Sequence, residues 1–159
     1  MTRCFIALGS NLEQPMLQVQ AAVNALSKLP NSQLIATSRW YQSSAVGPGE
    51  QPDYINGVVE LHSELTALAL LDALQAIEND QGRVRTERWC ARTLDLDLLY
   101  YGDAIIDHPR LTVPHPRILE RNFVLYPLAD IAPDWPVDKS LSAQQQLQHC
   151  PMSGLSLVD

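Results

Sequence analysis

Two apolar periods alternate along the chain, and the switches between them outline its elements. Cys4 to Gly9, inside "RCFIALGSN", is a compact apolar run that predicts a buried first strand. After Pro15, suited to a first helical turn, Val19, Ala22, Val23, Leu26 and Leu29 recur at helical spacing until Pro30 stops them. Leu34 to Tyr41 predicts a second strand. Tyr54 to Leu65 predicts a third, with Ile55, Val59 and Leu61 on one face. Between these two, "SSAVGPGEQPD" crowds Gly47, Pro48 and Gly49 into a long loop. Thr66 caps a second helix whose inner face carries Leu70, Leu71, Leu74 and Ile77, and Gly82 ends it. An arginine-rich loop, "RVRTERWCAR", then leads into "TLDLDLLYYG", which returns to strand period.

The order β-α-β-β-α-β belongs to two split βαβ units, which fold into a ferredoxin-like sheet with both helices on one face. From Gly102 onward come "AIID", the turn-rich "LTVPHPR", and short helical patterns around Leu119 to Leu128 and Ser142 to His149. That segment is long enough to cover the other face. The predicted class is therefore α+β: a ferredoxin-like βαββαβ core elaborated into a three-layer α-β-α single domain over residues 1–159.

The net charge of −7 argues against nonspecific nucleic-acid binding. No apolar run approaches the roughly 20 residues that cross a bilayer. Three scattered cysteines, Cys4, Cys90 and Cys150, fit a reducing cytoplasm better than a disulfide framework. The distribution of charge says more than its sum. Seven of the eleven basic residues are arginines between Arg83 and Arg121, a stretch without lysine. Arginine makes forked contacts to phosphate or carboxylate oxygens, so the cluster suggests a small polyanion held at one place.

Within "RTLDLDLLYYG", Leu94, Leu96 and Leu98 point one way and Asp95 and Asp97 the other. Two carboxylates roughly 6.5 Å apart on one face repel each other and lose hydration, so a cation must compensate. Two readings are open: an ion pair from each acid to the preceding arginine loop, or a shared hard divalent cation. The placement of both acids on one face, at the mouth of that loop, favours the second. Magnesium takes few carboxylates, several waters and phosphate oxygens. Acids, magnesium, triphosphate and arginines together are the parts of phosphoryl-type transfer. No "GxxxxGK[ST]" loop is present, so side chains must hold any nucleotide.

"ALGSNL", "GPGEQPDYINGVV", "GRVR…RW…RTLDLDLLYYG" and "RLTVPHPRILERNFVLYPLADIAP" follow one another from Ala7 to Pro133. In that order they resemble the 6-hydroxymethyl-7,8-dihydropterin pyrophosphokinase family of folate biosynthesis. The resemblance implies a ferredoxin-like α+β enzyme that moves pyrophosphate from ATP to the pterin hydroxymethyl group and releases AMP. It implies Asp95 and Asp97 as ligands of two Mg²⁺ ions, with Arg83 and Arg92 on the transferred phosphates. It implies an ATP site lined by Arg85, Arg110, His115 and Arg121, with Gln75, Leu98 and Thr112 nearer the nucleoside and Trp89 folding over it. The pterin would stack between Tyr54 and Phe123. Asn56 would read its amide edge, helped by Ser44, Val46 and Asp95. Expected partners are these small molecules alone, with no nucleic acid and no membrane, for a cytoplasmic monomer.

Where the family reads Gly-Pro before the arginine matching Arg92, this chain has Cys90-Ala91. Its loop between Arg85 and Glu87 is one residue shorter, and Pro116 stands where some members carry an aromatic residue. Two rival functions use the same residues: another two-metal nucleotide hydrolase, and a catalytically impaired paralogue that binds pterin and nucleotide. The sequence names no general base.

Overall fold

In the computed structural model the described residues are 1–43, 53–82, 94–138 and 140–158. The sheet is built on β1 (Thr2–Ser10), whose two neighbours are β4 (Tyr54–Ser63) and β5 (Leu94–Tyr101), both antiparallel to it. Beyond β4 lie β2 (Ser32–Thr37) and β3 (Tyr41–Ser43), and β8 (Leu155–Leu157) adds to the outer side of β3. The path β5-β1-β4-β3-β8 leaves β5 at an edge. Helix α1 (Pro15–Ser27) joins β1 to β2, and α2 (Ala67–Gly82) joins β4 to β5. Strands β1 and β2 flank β4, each antiparallel to it, which is the split βαβ arrangement read from the apolar periods.

Two cores share the sheet. On one face, Val19, Ala22 and Leu26 of α1 and Leu70, Leu71, Leu74 and Ile77 of α2 pack on Ile6, Leu8, Val59, Leu61, Leu94, Leu96 and Leu98. On the other, Phe5, Ala7, Val58, Leu99 and Tyr100 are covered by α3 (Asn122–Ile131) and α4 (Ala143–Gln146). The expected three layers and the ferredoxin-like core are therefore present. Helix α2 opens as anticipated: the Thr66 hydroxyl accepts from the Ala69 N–H at 3.2 Å, and the Thr66 carbonyl accepts from Leu70 N at 2.8 Å.

Three features differ from the sequence reading. The second strand is not continuous from Leu34 to Tyr41 but breaks between β2 and β3. There the Ser38 hydroxyl takes the Val58 N–H at 2.9 Å in place of a backbone carbonyl, a side-chain substitute that ends regular pairing. The turn-rich stretch forms a hairpin of β6 (Ile106–His108) and β7 (Leu111–Val113), which buries Leu111 and Val113 in the first core. Strand β8 finds its partner only through β3.

One glycine is dictated by packing. A Cβ on Gly57 would lie 2.5 Å from the Trp40 ring, so that indole can press onto the strand only where the side chain is missing.

Candidate active site

Pairing register assembles the site. Asn56 lies opposite Gly9, and Gly9 lies opposite Asp95, so the three form a row across β4, β1 and β5. The next row is Val58, Ala7 and Asp97. Since side chains alternate along a strand, Asp95 and Asp97 share the face of Ala7 and Val58, while Leu94, Leu96 and Leu98 are buried against the helices. Further along that face, Trp135 closes the surface, 4.8 Å from the Phe5 ring and 5.4 Å from the Tyr100 ring. The Arg3 guanidinium stacks 5.0 Å above Trp135. Toward the row of Asp95 that cover is gone: Asp95 is exposed and Asp97 half-exposed.

Gly9 makes a slot between two polar walls. Its strand neighbours stand about two strand spacings apart, roughly 10 Å, with no side chain between them. A Cβ there would sit 3.3 Å from Asn56 Oδ1 and 3.9 Å from Tyr54 Cδ1. The Asn56 amide nitrogen is already engaged, donating to Ser43 Oγ at 2.9 Å and to the Tyr41 carbonyl at 3.4 Å. Its oxygen therefore faces the slot, and the walls are acceptors on both sides. Tyr54 lies on the same strand face, two residues from Asn56. Phe123 is the second residue of α3, half-buried, with the Arg121 guanidinium 5.7 Å above its ring.

His115 is fastened beside the acids. Its backbone N–H donates to the Leu99 carbonyl at 3.0 Å, and its Nδ1 accepts from the Arg117 N–H at 3.3 Å. Burial holds the imidazole below its usual range, the Asp97 charge works in the opposite direction, and Arg121 and Arg117 add to the lowering. With Nδ1 accepting from the Arg117 N–H, the neutral form of the ring carries its proton on Nε2. Along the outer side of β5, the Arg110 guanidinium donates to Asp72 and, at 3.3 Å, to Gln75 Oε1. Thr112 is exposed on β7 nearby.

Leu98 is 3% exposed in the helix-side core, so what it can offer a nucleoside is main chain rather than side chain. Ser44, Val46, Arg83, Arg85, Trp89 and Arg92 lie outside the described residues, as does Cys90-Ala91.

The residues present fit hard divalent ions. Among the described residues no three acidic, histidine or cysteine side chains converge as a self-sufficient metal site. Two carboxylates on an open face, without a third such side chain among the described residues, suit an ion that keeps waters and borrows phosphate oxygens.

Three residues escaped the sequence reading. Gly9 could have been flagged, because a glycine inside a strand marks a close approach. Glu78 accepts the Leu96 N–H at 2.7 Å. Burial raises its carboxyl above the usual range, the Leu96 bond opposes this, and the charges of Asp95 and Asp97 add to the rise. Ser43 holds the Asn56 amide, a role that only register reveals.

The family model described as 7,8-dihydro-6-hydroxymethylpterin-pyrophosphokinase (HPPK) matches residues 5–133. The chain belongs to this family. A 2-amino-4-hydroxy-6-hydroxymethyldihydropteridine pyrophosphokinase of Pseudomonas aeruginosa is 50% identical over 153 residues, covering 96% of this chain and 94% of that one. One from Haemophilus influenzae is 53% identical over 134 residues, covering 84% of each. Among solved structures, an HPPK-DHPS crystallised with substrates superposes with a TM-score of 0.72 at 11% identity. The match spans 94% of this chain and 45% of that longer one, and at such identity it speaks for the fold alone.

Proposed function

We propose that this HPPK-family chain acts in folate biosynthesis, transferring the β,γ-pyrophosphate of ATP to the hydroxymethyl group of 6-hydroxymethyl-7,8-dihydropterin and releasing AMP. The observation that carries this reading is a ring-sized slot, Asn56–Gly9–Asp95, opening directly beside a second carboxylate, Asp97, on an uncovered face. A flat donor-bearing heterocycle seated there brings its substituent next to the site for a metal-bound triphosphate.

Asn56 Oδ1 accepts from the ring's N–H edge, and Tyr54 and Phe123 sandwich its faces and exclude water. Ser44 and Val46 complete the pterin side. Asp95 and Asp97 would hold two magnesium ions, which would supply neutralisation of triphosphate charge. Arg83 and Arg92 carry the transferred phosphates, and Arg85, Arg110 and Arg121 offset the remaining charge. His115 donates from Nε2, and a neutral donor suffices for a phosphate oxygen. Gln75, Thr112 and the Leu98 backbone hold the nucleoside, and Trp89 is assigned to the same ATP site. The hydroxymethyl oxygen attacks the β-phosphorus in line, the α,β bridge breaks, AMP leaves with the bridging oxygen, and the hydroxyl proton is lost to solvent. The working unit is a cytoplasmic monomer whose single domain spans residues 1–159.

The test is AMP release from MgATP with and without 6-hydroxymethyl-7,8-dihydropterin. Release that requires the pterin is the expected result; release that continues without it points to a nucleotide hydrolase instead.

A further inference from the structure

Among the described residues, strand β5 has β1 on one side and no strand on the other. In an antiparallel pair, successive residues turn their N–H and C=O groups alternately toward the partner and away from it. The Leu96 N–H points outward, because it donates to Glu78 on α2. The backbone groups of Asp95 and Asp97 therefore face β1, opposite Gly9 and Ala7. Leu96 is the residue between the two acids, and its outer edge is the one point where something other than β1 can hold that peptide. The Glu78 carboxylate does so at 2.7 Å, from a half-buried position.

The same helix flank reaches further. Asp72, Gln75 and Glu78 are spaced three apart, so they line one side of α2. Asp72 and Gln75 take the Arg110 guanidinium, and Glu78 takes the strand. Behind them Leu71, Leu74 and Ile77 are buried in the core, which leaves the flank little freedom to shift. The peptide planes on either side of Leu96 set the directions in which Asp95 and Asp97 leave the strand. Anchoring that unit therefore constrains the directions in which the two acidic side chains leave the strand.

On this basis we infer that Glu78 is a positioning residue for the reaction: by holding the Leu96 N–H it sets the separation of the Asp95 and Asp97 carboxylates, and so the affinity for the metal–nucleotide complex. The inference rests on the functional reading above. It concerns reach rather than charge, since a third acid so near the pair adds repulsion to any ligand-free state. Simple protection of a sheet edge against pairing is the structural alternative.

Two substitutions separate these ideas. Glu78→Gln keeps an acceptor oxygen within reach of the Leu96 N–H and removes the charge. Glu78→Asp keeps the charge and withdraws the oxygen by one methylene. In the full chain, binding of magnesium with a non-hydrolysable ATP analogue is measured by calorimetry, and exchange of the Leu96 amide by NMR. For Glu78→Asp the expected result is faster Leu96 exchange and metal–nucleotide binding weakened about tenfold, in the range seen when outer partners of metal ligands are lost. Glu78→Gln should stay within about twofold of the parent in both, and the KM for pterin should be unchanged in either variant. The reverse ranking, Gln impaired and Asp intact, overturns the inference in favour of charge. Faster exchange in Glu78→Asp with unaltered binding overturns it in favour of edge protection. Failure of the parent chain itself to bind the metal–nucleotide complex is a separate result, and it removes the functional reading and the inference together.

Discussion

The two faces of β5 show how one strand can serve two purposes. Toward α1 and α2 it presents Leu94, Leu96 and Leu98, each buried to 4% exposure or less. Toward the C-terminal layer it presents Asp95 and Asp97 at the end where cover stops, and Tyr100 under Trp135 where cover continues. The leucines fix register, because a slip of one residue would turn them to the other face. The acids inherit their position from that register without contributing to it. Stability and chemistry are thus interleaved residue by residue, and substitution should separate them.

The sharpest separation is at Asp97. Asp97→Ala should lower pterin-dependent AMP release by about a thousandfold, several kcal/mol of metal-mediated stabilisation, while the melting temperature holds or rises as repulsion with Asp95 is relieved. A variant that kept the parental rate would erase the distinction between the faces. Leu96→Ala is the mirror experiment: its buried side chain leaves a cavity costing about 3 kcal/mol in denaturant unfolding.

The two strand glycines make a finer comparison. Gly57→Ala drives a Cβ to 2.5 Å from Trp40 on the covered face and should cost about 1–3 kcal/mol of stability with the pterin KM unmoved. Gly9→Ala places its Cβ at 3.3 Å from Asn56 Oδ1 on the open face and should raise the pterin KM about tenfold with little change in melting. If both acted on stability alone, the slot would lose its meaning.

The smallest effect is electrostatic. Because the folded-state pKa of His115 is lowered from 6.5, the unfolded chain takes up this proton first. Its stabilising contribution is complete above that value and is lost as pH falls below it. Asp97 pulls in the opposite direction, so Asp97→Asn should move the His115 midpoint lower still in an NMR titration of the imidazole.

Much of this was legible in the chain. The apolar periods of β1, α1, β4, α2 and β5 are long enough to declare themselves, and "LDLD" states the division of faces outright. The break at Ser38 was not legible, because a hydroxyl replacing a carbonyl leaves no periodic trace. Nor were β6, β7 and β8, three-residue strands that exist through their partners. Within the candidate site, single residues such as Asn56 and Asp95 were proposed from motifs, and the strand register sets them in one row. Their neighbours Gly9, Ser43 and Glu78 act through cross-strand and helix-to-strand contacts that sequence distance conceals.

The most direct test of the central claim is a crystal structure of the chain with magnesium and a non-hydrolysable ATP analogue. Metal ions are expected about 2.0–2.1 Å from Asp95 and Asp97 oxygens, with triphosphate oxygens completing their shells. Nucleotide bound elsewhere, with both carboxylates engaged only by protein groups, would contradict it.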